Sequence, residues 1–190
     1  MNAFLNSRIA LYGLILAHLI FFYAFITNDI FFEWAFARHQ NIWSWIVRPL
    51  LMLPFCYFAY CRSINGIFLS TFAILTSMFW FPIPEETNQQ VERFLYMERE
   101  RIQAGFDWKN IVSIVAVIIF LTVTAGSFWK RSLLWGGAAA IAGAIAKIMW
   151  SVMESPDNGY AVIPFAVGGI VVLLLGLFIV HLYRGNNKTD

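Results

Sequence analysis

A chain of 190 residues that is 60% hydrophobic and only 13% charged cannot be a water-facing globule, since soluble domains carry about 25% charged residues. The formal net charge of +2, with no basic tract to follow a phosphate backbone, excludes nucleic acid as a partner. At roughly 20 apolar residues per crossing, membrane spans consume most of the chain. One membrane domain, residues 1–190, is expected, with the lipid bilayer as its first partner.

Six apolar runs follow in chain order. The first, 9–27, carries His18; it outlasts the apolar core of a secretory signal, has no small-residue cleavage site after it, and predicts a retained helix. The second, 42–60, is interrupted by Arg48-Pro49 and Pro54, and the third, 64–81, stops at Pro82. The fourth spans 108–126, the fifth 133–153 and the sixth 160–183. Each is near the length that crosses ~30 Å of hydrocarbon at ~1.5 Å per residue, and none alternates like a barrel strand. The expected fold class is all-α membrane, a six-transmembrane-helix bundle. No internal repeat is evident. Cys56 and Cys61, five residues apart in one apolar run, suit neither a disulfide nor a metal pair.

With six spans, Arg8, Arg62, Lys130, Arg131, Arg184 and Lys188 fall on one side with almost no acids. Asp29, Glu33, the mixed-charge segment 85–107, Glu154 and Asp157 fall on the other. The positive-inside rule then predicts both termini in the cytoplasm. Trp34, Trp43, Trp45, Trp80, Trp108 and Trp150 gather at the outer boundary, as an interfacial belt would.

The segment 82–107 is the one sizeable piece outside the spans. Its Pro82-Ile83-Pro84 reads as a stiff, extended turn. Thr87 or Asn88 can then cap an amphipathic external helix over about 87–104, between the third and fourth spans, with Gly105 as its stop. Val91, Phe94, Leu95 and Ile102 share one stripe at helical spacing, and Glu98 falls in the middle of it. A carboxylate on a buried face must pair or protonate. It either pairs locally with Arg101 at i+3, or reaches a cation among the transmembrane helices.

The string Met78-Phe79-Trp80-Phe81-Pro82-Ile83-Pro84-Glu85, followed by Val91, Phe94-Leu95 and Glu98, resembles a family of small bacterial membrane proteins of uncharacterised activity. There an F-W-F-P-x-P-E stretch precedes a V-x-x-F-L-x-x-E helix. The resemblance covers about twenty residues. It implies a bacterial inner-membrane location and brings no activity with it.

Ionisable residues inside spans are functional candidates. Lys147 lies in the fifth span behind Gly136, Ala140, Gly143 and Ala144 on one face, with Ser151 and Glu154 following. Small residues at that spacing admit a neighbouring helix closely, so Lys147 is expected to face protein or to snorkel outward. Arg48 has a similar depth beside the Pro49 kink, and His18 sits near mid-span, expected to hydrogen-bond another helix. The candidate binding residues are thus Lys147, Arg48, Glu154, Glu98, Ser151 and His18. The first four are expected to cluster, with the second and fifth spans adjoining beneath the external helix.

There is no H-E-x-x-H, no G-x-S-x-G and no intramembrane aspartate pair, and His18, His39 and His181 lie at different depths. No catalytic residue, cofactor or metal is expected. Two readings remain. One is a small transporter, channel or lipid-handling protein with a charged site in the outer half of the membrane. The other is a non-catalytic scaffold or assembly factor that binds a partner through 85–107, a membrane protein or a second copy of this chain.

Overall fold

In the computed structural model, which describes residues 7–105 and 107–186, every regular element is helical. The helices are α1 (Arg8–Thr27), α2 (Asp29–His39), α3 (Ile42–Tyr60), α4 (Ile64–Thr76), α5 (Gln89–Gln103), α6 (Trp108–Trp129), α7 (Leu133–Glu154) and α8 (Ile163–Asn186). Short 3-10 turns extend α4 (Ser77–Phe79) and lead into α8 (Gly159–Val162). The starts are written in the sequence. Ser7, Asn28, Asn41, Ser63, Asn88, Asp107 and Ser132 each accept a backbone N–H from the first turn that follows.

Five helical stretches are long and apolar enough to cross a membrane: α1, α3, α6, α7 and Gly159–Val180. This is an all-α membrane protein. The third apolar run gives less than the expected 64–81 span, because α4 proper ends at Thr76. The hydroxyls of Thr76 and Ser77 donate to the carbonyls of Phe72 (2.9 Å) and Ile74 (2.7 Å). Such back-bonding competes with the helical ladder, and here the chain tightens into the 3-10 turn Ser77–Phe79 before Pro82.

A second departure is α2, which lies where a loop was expected. Asn28 is both the last cap of α1 and the first of α2, so one residue separates the two helices. The stripe Phe32, Ala35, Phe36 and His39 is buried, at the spacing i, i+3, i+4, i+7.

The bundle has two distinguishable ends. At one, two tight corners join α3 to α4 and α6 to α7. Asn65 at the start of α4 donates to the Ser7 carbonyl (2.8 Å), which brings the start of α1 there too. The corners Tyr60-Cys61-Arg62-Ser63 and Trp129-Lys130-Arg131-Ser132 share an aromatic-x-Arg-Ser pattern and the same closure. Arg62 N–H bonds Ala59 and Ser63 N–H bonds Phe58, while Arg131 N–H bonds Phe128 and Ser132 N–H bonds Ser127. They also interlock: Arg62 Nε donates to the Trp129 carbonyl (3.1 Å), and the Arg131 guanidinium lies 5.9 Å from the Tyr60 ring centre. A repeated hairpin is therefore present, legible in sequence only at these four-residue corners.

Helix α3 packs against α4, α6 and α8, and α7 against α6 and α8, with α1 outside against α4. The second and fifth spans, expected to adjoin, each pack mainly on α6 and α8, while Phe55, Cys56 and Ala59 of α3 share a core with Ala140 of α7. Nor do Pro49 and Pro54 break α3, which stays one helix. A Cβ on Gly169 of α8 would come within 2.7 Å of Pro49 Cβ, so the ring seats closely on α8. The small residues of α7 serve α6 similarly: Gly136 and Gly143 receive the rings of Phe128 and Phe120.

Two cores result. One, within the spans, gathers Phe55, Cys56 and Ala59 with Phe128, Ala140 and Leu173. The other, at the end away from the corners, gathers α2, Trp45, Met78, Ala161 and Val162 around Val91, Phe94 and Leu95 of α5. Helix α5 is thus a roof over that end.

Candidate functional site

Asn88 starts α5 by accepting the N–H groups of Gln90 (3.0 Å) and Val91 (3.3 Å). Gly105, at φ +85°, turns the chain off its far end. Val91, Phe94 and Leu95 are each 2% exposed. Ile102, expected in the same stripe, is instead exposed at the helix end.

Glu98 takes the second of its two expected partners. Its Oε1 lies 3.1 Å from Lys147 Nζ on α7. Arg101, its local alternative, is engaged elsewhere. Its guanidinium donates to Ser113 Oγ (2.7 Å), Asn110 Oδ1 (3.1 Å) and the Lys109 carbonyl (3.3 Å) on α6, and lies 3.5 Å from Glu154. Lys109 approaches the other oxygen of Glu154 at 3.4 Å. Arg99 binds Glu33 of α2 at 2.6 Å. The charges of α5 therefore fasten it to α2, α6 and α7, while Phe94 meets Trp45 of α3 edge-on at 5.7 Å. The Lys147 ammonium also stands 5.6 Å from the Phe94 ring centre, a cation–π arrangement.

Arg48 points to the same region. Its Nε donates to Ser77 Oγ (3.4 Å), bridging α3 to the end of α4, and it interacts electrostatically with Glu98. His39, which sequence reasoning set aside, sits beside these cations. Burial pushes its imidazole well below the usual value, and Arg48 and Lys147 push it the same way. It is therefore neutral at pH 7. Ser44 Oγ donates to the Asn41 carbonyl (2.7 Å), so His39 Nδ1–H donates to Ser44 Oγ at 2.7 Å. The His39 carbonyl accepts from Trp45 Nε1 (3.0 Å), and the two rings stack. Trp45 is consequently a core residue and not part of an interfacial belt. Trp150 is half-buried, with the Arg101 guanidinium 5.5 Å from its ring centre.

Of the six candidates, then, Glu98 and Lys147 touch, Arg48 lies near Glu98, and Glu154 joins a neighbouring pair. Ser151 is 2% exposed and lies against the Gly159 backbone, its hydroxyl without a hydrogen-bond partner among the described residues. His18 stands apart. Its Nδ1 donates to the carbonyl of Leu14 (2.8 Å) on its own helix, and its ring packs edge-on against Phe68 and Phe72 of α4. The expected hydrogen bond to another helix is replaced by aromatic contact. Among the described residues no three His, Cys, Asp or Glu side chains converge. Lys188 and the side chains of His181 and Arg184 lie outside the described residues.

The side chains of Lys147 and Glu98 are 51% and 29% exposed. Their coupling should therefore resemble the ~0.2–1 kcal/mol of exposed pairs more than the ~3–5 kcal/mol lost on breaking a buried one. Lys147→Met and Glu98→Gln should each lower stability, and the double change should cost less than their sum by about that coupling. Chemical unfolding of the purified protein in micelles measures it. Strict additivity would mean the two groups do not interact. No family model, no curated protein and no solved structure matches the chain.

Proposed function

We propose that the chain is a six-span bacterial inner-membrane protein with cytoplasmic termini, and that it acts as a non-catalytic accessory factor whose partner docks on the open face of α5. The charge distribution supports this orientation. The short corner loops carry Arg62, Lys130 and Arg131 with Arg8 beside them and no described acid, whereas the roof end's cations lie within the spans, in α2 or in the long segment 82–109, interspersed with the ten described acids. The 13 α-helical and 3 further residues of α4 and its 3-10 turn rise about 26 Å. That suffices for a crossing with flanking residues at the interface.

One observation carries the functional reading: three of the four charges that looked like a transport site, Lys147, Glu98 and Glu154, are paired where α5 is fastened to the bundle. A transport step needs an ionisable group that can change partners in a hydrated path. Here Lys147 is held by Glu98, and Glu154 by Arg101 and Lys109. What α5 leaves outward is a mixed polar face of Glu92, Arg93, Tyr96 and Glu100. With Met97 and Asn158 these line an open cleft of about 470 Å³. Tyr96 and Arg93 on this face are of the residue types enriched where partner proteins bind, and Tyr96 is exposed.

A photo-crosslinking amino acid at Tyr96 of the full chain, expressed in bacterial cells, tests this. The reading expects a discrete protein adduct that disappears when Glu92 and Glu100 are both changed to Arg. No adduct at Tyr96, or one unaffected by the charge reversal, would overturn it.

A further inference from the structure

The two inner corners hold an arginine where glycine is usual. Arg62 and Arg131 follow the last turns of α3 and α6 at φ +57° and +59°, the left-handed conformation that costs a residue with a Cβ and is free for glycine. An unfavourable backbone kept at two equivalent positions points to a use for the side chain. One contact of each is internal, Arg62 Nε on the Trp129 carbonyl and Arg131 over Tyr60. The terminal nitrogens of Arg62 remain uncommitted among the described residues, and Lys130 is exposed alongside.

Directly beneath this basic group, an apolar groove of about 370 Å³ opens to the lipid side. Its walls are Phe55 of α3, Ile67 and Thr71 of α4, and Leu121, Ala125 and Trp129 of α6. Trp129 belongs to both features: its side forms the mouth of the groove and its carbonyl holds Arg62. None of the ten described acids lies at this end. We infer that the corners and groove together form a binding site for one anionic phospholipid of the facing leaflet. Its phosphate sits on Arg62, Arg131 and Lys130, and an acyl chain lies between α3, α4 and α6. Guanidinium forks match phosphate oxygens in charge and geometry, and an apolar trough open to the bilayer accepts a chain without dewetting.

The test uses the full-length protein, stripped of lipid in a mild detergent and titrated with phosphatidylglycerol or phosphatidylcholine, with bound lipid counted by native mass spectrometry. The unchanged protein should bind phosphatidylglycerol at least ~10-fold more tightly. The double change Arg62→Gly, Arg131→Gly should abolish that preference while leaving the thermal unfolding temperature the same or higher, because glycine relieves both left-handed positions. Gly126 lines the groove and a Cβ there meets nothing within 4 Å, so Gly126→Leu should fill the trough and weaken both lipids without unfolding the protein. Equal binding of the two lipids would overturn the inference, as would a preference that survives the arginine changes. A double change that unfolds the protein at lower temperature yet keeps its lipid would assign the arginines to hairpin interlock alone.

Discussion

Phe94→Ala is expected to lower stability by about 3–5 kcal/mol, or about 6–20 °C in the unfolding temperature of a chain this size. The ring is 2% exposed, meets Trp45 edge-on, and lies beneath the Lys147 ammonium. Truncation leaves a void where α3, α5 and α7 converge, and removes the surface against which the Lys147–Glu98 pair is set. The backbone there cannot close the gap easily, because Arg99, Arg101 and Glu98 fix α5 to three other elements. Ile102→Ala on the same helix is the control: at 45% exposure it should change stability by no more than ~0.5 kcal/mol. Thermal unfolding of both variants in micelles gives the comparison.

Gly159→Ala should be the most damaging glycine-to-alanine change among the described residues. A Cβ at Gly159 would overlap the Ser151 carbonyl oxygen and lie 2.7 Å from Val152 Cα. Both obstacles are backbone, so no rotamer change relieves them, unlike at Gly136, where the obstacle is a ring. The turn must open, which breaks the bonds to Ser155 O from Asn158 N (3.2 Å) and Gly159 N (2.7 Å). The cost should reach or exceed the top of the ~1–3 kcal/mol range for overpacking. It should also loosen Ala161 and Val162, on which α5 rests. Gly168→Ala, in α8 with open space around it, should be neutral or gain up to ~1 kcal/mol. Unfolding midpoints of the two variants should therefore move in opposite directions, or the first alone should move.

Five of the six expected spans and the roof helix were legible because hydropathy and caps are local signals: Asn88 and Gly105 bound α5, and Ser132 starts α7. Helix α2 was not, because its 11 residues are too short for a span signal and Asn28 leaves no loop to announce a new element. The buried stripe at 32, 35, 36 and 39 was there to be found. The charged group was legible as a set of depths, not as a set of partners. Glu98 and Arg101 are three residues apart, yet Arg101 turns to the acceptors of α6, Asn110 and Ser113, which no local rule weighs. His39 was invisible for the same reason: its neutral state rests first on burial in the packed end of the bundle, and then on Arg48 and Lys147 arriving from α3 and α7. The neighbours of α3 were not encoded in any one run, since small residues on α7 fit Phe120 and Phe128 of α6 as well as they would have fitted α3.

Amide hydrogen exchange on the full protein in lipid nanodiscs tests most directly whether α5 is a clamped roof. Residues 91–103 should exchange as slowly as the ends of α6 and α7 they are fastened to, while 82–87 exchange fast. The protection should fall in the Glu98→Gln, Lys147→Met double variant. Exchange across 91–103 as fast as in 82–87 would contradict the account, since α5 would then be a loosely attached surface helix.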